Sequence, residues 1–221
     1  VSCGKCEWCH SGQYRHCEAT DWRYNPNGLR YGYTTCDNPP HLWGGFAQYV
    51  YLPWNSVVHH VPKGVTPELA GLVTPMANGI EWALLDCGVG YNSTVLIQGP
   101  GQQGLSQTIA CKQAGASLII VTGTTKDKAR LDCALAMGAD YVPNFPIGKM
   151  TVKYITLKSA RGHSYKACEL ALEQLASKRF PIDMMTTHRF GLKDAEYAIK
   201  SVGGMGAPDV IHVSLMPWMD L

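Results

Sequence analysis

The sequence predicts an α/β protein in two parts, a β-rich lobe and a doubly wound parallel sheet. Three observations predict it. Four cysteines crowd one short loop at the start of the chain, a strand runs into a glycine-rich turn and a helix near its middle, and Asn92 to Pro146 continues as an alternation of strands and helices. The 221 residues are 46% apolar and 16% charged, enough to bury a core.

The loop comes first. Cys3, Cys6, Cys9 and Cys17 follow the pattern C-x2-C-x2-C-x7-C, tight enough to fold around one metal ion. Thiolates are soft ligands that suit a tetrahedral divalent ion, and a shell of four leaves no open position for water or substrate. The expectation is structural zinc. Disulfides are disfavoured because the chain has nine cysteines, an odd number, and Cys36, Cys87, Cys111, Cys133 and Cys168 are scattered in ordinary contexts. A reducing, cytoplasmic setting is expected to follow. An iron–sulfur cluster of the ferredoxin type is the remaining alternative, but its usual run closes with C-x3-C-P, and the gap to Cys17 is longer, with no proline after it.

Beyond the loop, Gly45 to Leu52 alternates as a strand does, and residues 1–62 are expected to form the loop-rich β part. Residues 63–150 read as a connecting helix and the parallel sheet. Thr66 before Pro67 and Glu68 is a helix start, and helical spacing runs on from Leu69 to Leu85. Ser93 to Gln98 is a strand, Leu105 to Ala114 a helix, Leu118 to Thr122 a strand, Lys126 to Met137 a helix and Gly138 to Val142 a third strand. The crossover in such a βαβαβ unit is right-handed, which puts the first turn at the carboxyl edge of the sheet.

That turn reads Gly99-Pro100-Gly101-Gln102-Gln103-Gly104. In a strand–turn–helix setting G-x-G-x-x-G predicts a dinucleotide site. Gly99 permits the tight turn, Gly101 lets the backbone approach a pyrophosphate, Gly104 lets helix and strand pack, and Gln102 and Gln103 open the helix that faces the anion. Nineteen residues after Gly104, where a carboxylate would hold the adenosine ribose, stands Gly123, followed by Thr124 and, one turn into the helix, Arg130. With no carboxylate at that position to repel a 2′-phosphate, NADP or a loose choice between NADP and NAD is expected, with Thr124 and Arg130 as contacts. The rival reading of Arg130 is a solvated helix residue.

The cysteine loop, the Gly45–Val50 strand and the glycine turn come in an order that resembles the medium-chain zinc-containing alcohol dehydrogenase family. Met185 to Ala195 is similar to that family's closing T-H-x-F-x-L-x-D-A segment. The resemblance implies a GroES-like zinc-binding part formed from both ends of the chain, residues 151–221 returning to it, with a truncated Rossmann part between. It implies transfer of hydride between NAD(P) and a small alcohol or carbonyl, with zinc polarising the oxygen.

Two parts of the family pattern are missing from the residues given. The segment that would carry a Cys and a His-Glu pair for a catalytic zinc is expected upstream of Val1, and Thr74, a poor ligand, stands where a third ligand would lie. After Asn144 the chain passes through Phe145 to Lys149 into Lys153 to Lys158, so three strands of the sheet, with much of the family's dimer surface, are expected to be absent. No catalytic residue is assigned on this reading, and the chain alone is expected to be inactive. The alternative is a non-catalytic fragment or decayed relative with a zinc loop and a weak nucleotide site.

The remaining features are read as scaffold. His59, His60 and His188 are read as structural or surface histidines, Trp8, Trp43, Trp54 and Trp82 as packing, and the amphipathic helix from Ser164 to Ala176 as packed on the first domain. Further apolar spacing from Ala195 to Val202 and a strand from Val210 to Leu215 close the chain. A net charge of +2 with no basic run argues against nucleic acid, and a zinc module for nucleic acid or protein is disfavoured because the cysteine loop lacks basic and aromatic interleaving. No stretch is long enough to cross a membrane and none resembles a signal peptide.

Overall fold

A computed structural model describes residues 1–142 and 162–219. The expected strand at Lys153 to Lys158 lies outside the described residues. The chain divides into two compact units: one from Val1–His60, Ser164–Lys166 and His188–Leu221, the other from Val61–His163 and Ala167–Thr187.

In the first unit most of the chain is turns. The short helix α1 (Glu7–His10) lies inside the cysteine loop. Trp43, 4% exposed, is buried beside Tyr31 and Tyr51, its ring 5.5 Å from that of Tyr51 in an edge-on arrangement. Asp21 is fully buried and accepts from Arg23 Nε and Nη2, the latter at 2.6 Å. The expected strand from Gly45 to Leu52 does not form. Phe46, Tyr49 and Leu52 are each more than 60% exposed, and a strand is stable only when its backbone groups find a ladder. At the other end of the chain, β3 (Thr186–Gly191) leads through α7 (Ala195–Val202) to β4 (His212–Met216), which pairs with β3.

The second unit opens with α2 (Pro67–Ala70), whose N-terminus is capped by Thr66: its hydroxyl accepts from the Leu69 N–H at 3.4 Å. The single helix expected from Leu69 to Leu85 is instead three pieces. α3 (Val73–Ile80) starts after a break at Gly71-Leu72, and a π-helical turn, Glu81–Asp86, continues it. Pro75 explains the break: in a continuous helix its ring would meet the carbonyl of Gly71, and it has no N–H to give it. Placed in the first turn of a new helix, Pro75 costs nothing.

The sheet then follows in the predicted order. β1 (Thr94–Gln98) and β2 (Leu118–Thr122) run parallel, from Thr94 opposite Leu118 to Gln98 opposite Thr122. α4 (Gln102–Gln113) makes the crossover, and α5 (Lys128–Ala136) leaves β2. The expected third strand is reduced to one parallel bridge, Ile120 to Tyr141, on the far side of β2. It is pinned by Asp140, whose Oδ2 accepts from the Ile119 N–H at 2.8 Å and whose Oδ1 lies 3.2 Å from Lys112 Nζ. Among the described residues, β1 is thus the outer strand.

Ile97, Leu105, Ile109, Ile119, Val121, Cys133 and Met137 form the core between strands and helices. α3 crosses α4 closely because Gly79 has no side chain: a Cβ there would stand 2.6 Å from the Ser106 carbonyl carbon. α6 (Tyr165–Ala176) divides between the units: its first residues belong to the first, where the Tyr165 ring lies 4.4 Å from that of His59. Its body, from Ala167, belongs to the second unit, where Gln174 bonds to Gln113 of α4. Amphipathic spacing marks which face is buried but not against which neighbour.

Candidate functional site

Two sites are built in separate units. In the first, the backbone folds the four cysteines inward. Gly4 takes a left-handed conformation (φ +71°) that turns the chain between Cys3 and Cys6, and α1 then carries Cys9, with the Cys6 carbonyl accepting from the Cys9 and His10 N–H groups at 3.0 and 3.1 Å. Tyr14–His16 forms a short 3-10 turn that delivers Cys17, fully buried, against the Cys3 N–H at 3.3 Å. Asn55 fastens the loop from outside through a two-way bond with the Ser2 backbone.

The four sulfurs all lie within 4.8 Å of one another, with Cys6 to Cys9 at 3.5 Å and Cys3 to Cys9 at 3.9 Å. A tetrahedral ion with metal–sulfur bonds of about 2.3 Å separates its sulfurs by about 3.8 Å, so the donor set fits zinc with shifts of no more than about 1 Å. Among the described residues this is the one group of three or more potential metal ligands. The thiols are electrostatically unequal: a hydrogen bond from the Lys5 backbone lowers Cys3, whereas burial pushes Cys9 up to about 12. Thr74 is exposed on α3.

The second site lies at the carboxyl edge of the sheet. β1 and β2 end in register, so Gly99 and Gly123 emerge side by side, and the Gly99 N–H bonds to the Thr122 carbonyl at 2.9 Å. Gly99 sits at φ +104°, a conformation that favours glycine. Gly104 is needed for a different reason: a Cβ on it would lie 2.0 Å from the Gly99 carbonyl oxygen. At Gly101 a Cβ would meet nothing within 4 Å, and no side chain caps the N-terminus of α4 there. These are the features of a cradle that a pyrophosphate fills.

Beside the turn is a cleft of about 470 Å³, lined by Leu96 to Gly99, Gly101 to Gly104, Gln107 and Trp82. Four of its lining residues are glutamines, and Gln103 Oε1 is buried there without a hydrogen-bond partner. A buried acceptor of that kind awaits a donor. Trp82 reaches the cleft from the π-helical turn, so a residue read from sequence as packing is part of the wall.

Gly123, Thr124 and Arg130 do not line this cleft. Gly123 packs against the turn itself: a Cβ on it would press on Pro100 at 3.0 Å and Leu131 at 3.2 Å. Thr124 and Arg130 are brought together by a residue the sequence reading passed over. Asp127 Oδ2 accepts from the Thr124 N–H at 2.8 Å and from its hydroxyl at 2.6 Å, and Oδ1 lies 3.4 Å from Arg130 Nη1. These bonds, those from Thr124 foremost, hold the Asp127 carboxyl below its ordinary value. A carboxylate therefore stands in the segment that follows β2, four residues beyond Gly123. The signal was available: Thr-x-x-Asp ahead of a helix closes a local turn of this type. His188, read as structural, stacks on Phe190 in β3.

Residues 1–63 match the family model described as the alcohol dehydrogenase GroES-like domain. A Mycobacterium tuberculosis protein named "Probable alcohol dehydrogenase" is 38% identical over 142 residues, 63% of this chain and 37% of that protein. The L-threonine 3-dehydrogenase of Pyrococcus furiosus is 33% identical over 155 residues, 70% of this chain and 38% of its own length. The chain thus spans less than two fifths of these relatives. Among solved structures, an alcohol dehydrogenase from Thermus sp. superposes with a TM-score of 0.75 at 19% identity, covering 98% of this chain and 76% of that one. L-idonate 5-dehydrogenase from Escherichia coli gives the same TM-score and identity, covering 98% and 73%. A zinc-binding dehydrogenase from Sinorhizobium meliloti, solved bound to NADP, gives 0.69 at 18% identity, covering 98% and 74%. At such identities the structures establish the shared fold, a GroES-like part with a Rossmann part.

Proposed function

Since the chain belongs to the zinc-dependent medium-chain alcohol dehydrogenase family, we propose that it supplies the zinc-loop and cofactor-binding parts of an oxidoreductase that moves hydride between a nicotinamide dinucleotide and a small alcohol or carbonyl. The observation that carries this is the carboxyl edge of the sheet. Gly101 leaves an open approach where Gly104 closes the packing behind it, and the N-terminus of α4 points its N–H groups at the gap.

Within that function each group has a separate task. The nicotinamide ring supplies the hydride chemistry when bound. The backbone of Gly101 to Gly104 neutralises the pyrophosphate, the glutamines and Trp82 give the adjoining cleft a polar and an aromatic wall, and the core beneath β1 and β2 keeps that edge rigid. Zinc at Cys3, Cys6, Cys9 and Cys17 would have all four positions filled by thiolates, so it would hold the loop rather than take substrate. No residue is assigned to proton transfer. The relatives named above are all dehydrogenases, which favours this reading over a non-catalytic relative.

Fluorescence titration of the zinc-loaded chain with NADH and NADPH tests the cofactor half. Saturable binding that Gly101→Asp abolishes is expected, because the new carboxylate would occupy the anion's place. Binding that survives Gly101→Asp would place the cofactor elsewhere and overturn the reading.

A further inference from the structure

We propose that the groove formed by α6, the end of α4 and the end of α3 binds a small zwitterion with an aliphatic tail, an α-amino acid of the size of leucine. The groove has a volume of about 260 Å³ and lies wholly within the second unit. It shares no lining residue with the cleft beside the glycine turn. The proposal therefore stands or falls independently of the dinucleotide reading.

One face of α6 supplies most of the groove. Leu170, Glu173, Gln174 and Ser177 follow one another at spacings of three and four residues, so they form a single stripe along the helix and the turn after it. Ile80, which closes α3, and Leu84 of the π-helical turn join Leu170 as the apolar lining, and Gln113 is the last residue of α4. The observation that points to a ligand is Gln174. It is only 4% exposed, its amide nitrogen donates to Gln113 Oε1, and its own Oε1 is buried with no hydrogen-bond partner. A buried oxygen left unpaired costs stability, and folded proteins supply a donor to nearly all such groups. Gln174 lines a cavity, so its donor can come from a bound molecule.

The rim specifies the chemistry of that molecule. Glu173 and Arg179 are both exposed at the groove, and neither the carboxylate nor the guanidinium has a partner among the described residues. A cation would satisfy one of them and an anion the other; a zwitterion satisfies both. The ammonium of an amino acid carries three N–H donors, enough for Glu173 and the orphaned Gln174 oxygen together. Its carboxylate suits the fork of a guanidinium. Ser177 does not compete, because its hydroxyl donates to the Gln174 carbonyl at 2.8 Å and accepts from the Arg179 N–H at 3.3 Å, which holds the turn that carries Arg179. Ile80, Leu84 and Leu170 remain for an aliphatic tail. At about 30 Å³ for a water-sized share of space, the groove holds about nine non-hydrogen atoms, which is the size of leucine.

The test is titration of the zinc-loaded chain, by calorimetry and by saturation-transfer NMR, with L-leucine, isocaproate and isoamylamine. Isocaproate lacks the ammonium and isoamylamine lacks the carboxylate. Saturable binding of L-leucine below about 10 mM is expected, with each analogue weaker by about tenfold or more. Glu173→Gln and Arg179→Ala, at exposed positions, should each weaken leucine binding by about threefold or more. Gln174→Leu, which removes the orphaned acceptor, should weaken it as well, while binding of NADH stays as in wild type. No saturable binding of L-leucine would mean that the groove holds water only, and overturns the proposal. An analogue that binds as tightly as leucine overturns it too, and so does an affinity unmoved in both rim variants. The analogue comparison uses the wild-type chain, so a variant that fails to fold does not shield the proposal.

Discussion

Two glycines of one turn, three residues apart, should fail in opposite ways when given a methyl group. At Gly104 the added Cβ would stand 2.0 Å from the Gly99 carbonyl oxygen and 3.3 Å from Ile97 Cγ2. Contacts below 3.0 Å are essentially unknown for real Cβ atoms, so the first turn of α4 must retreat from β1 by about an ångström. The severe clash is with backbone, the Gly99 carbonyl, which cannot rotate away as a side chain can. Overpacking of this kind costs about 1–3 kcal/mol, offset in part by alanine's better helix propensity, roughly 1 kcal/mol at most. A net loss of about 2 kcal/mol is expected for Gly104→Ala, or roughly 4–8 °C in the melting temperature of a chain this long.

Gly101→Ala has the reverse profile. Its φ of −71° suits alanine and the methyl meets nothing, so stability should change by less than about 1 kcal/mol, chiefly through the helix cap. The same methyl projects into the anion's approach and should weaken dinucleotide binding at least tenfold. Urea unfolding followed by circular dichroism, with hydrogen exchange of the α4 amides to localise the change, measures the first effect; cofactor titration measures the second. Equal stability of the two variants would refute the close-packing argument. Loss of stability in Gly101→Ala without loss of binding would refute the cradle.

Other expectations concern the thiols and one carboxylate. Elemental analysis should find one zinc per chain, and Cys9→Ser should release it while leaving α4 protected from exchange. Because zinc competes with protons for the four sulfurs, and burial pushes Cys9 up to about 12, metal should be lost as pH falls and regained as it rises, read with a chromophoric chelator. In the zinc-loaded chain Cys36 and Cys87, both exposed, should react rapidly with a thiol reagent, whereas buried Cys111, Cys133 and Cys168 should wait for unfolding. Burial raises Cys111 to about 12 and Cys133 to about 11, which slows them further. The Ile119 N–H, then Lys112, lower Asp140 from its ordinary 3.8. A depressed folded value stabilises above the unfolded one and is lost as pH falls through it, so Asp140→Asn should flatten the acid limb of the stability curve below about pH 4 and leave neutral pH less stable.

What the sequence discloses follows from the range of the interaction concerned. β2 is found where its run of Leu118 to Thr122 put it, and α4 and α5 within three residues of expectation, because local propensity and a glycine turn suffice to mark them. The cysteine loop is likewise legible, since its ligands lie within fifteen residues of one another. Gly45 to Leu52 is the opposite case. Alternation there states a demand for neighbouring strands, and a pattern cannot show whether the demand is met. The break before Pro75 could have been read from the proline alone. Asp127 is not marked by a fixed offset from Gly104, because what places its carboxylate is a local turn that folds it back on Thr124.

The way the units are cut from the chain has a consequence for synthesis. The second unit is nearly continuous, from Val61 to Thr187, whereas the first combines Val1–His60 with residues from 188 onward. On a ribosome the second unit therefore has all its parts before β4 has left the tunnel, and its parallel pair can close while the first unit still lacks the strand that partners β3. Contacts separated by such a stretch of chain form slowly. The cysteine loop is the exception within its unit: its ligands are contiguous, so it can take up metal early and keep four reactive thiols out of mispairing during the long wait for the other end.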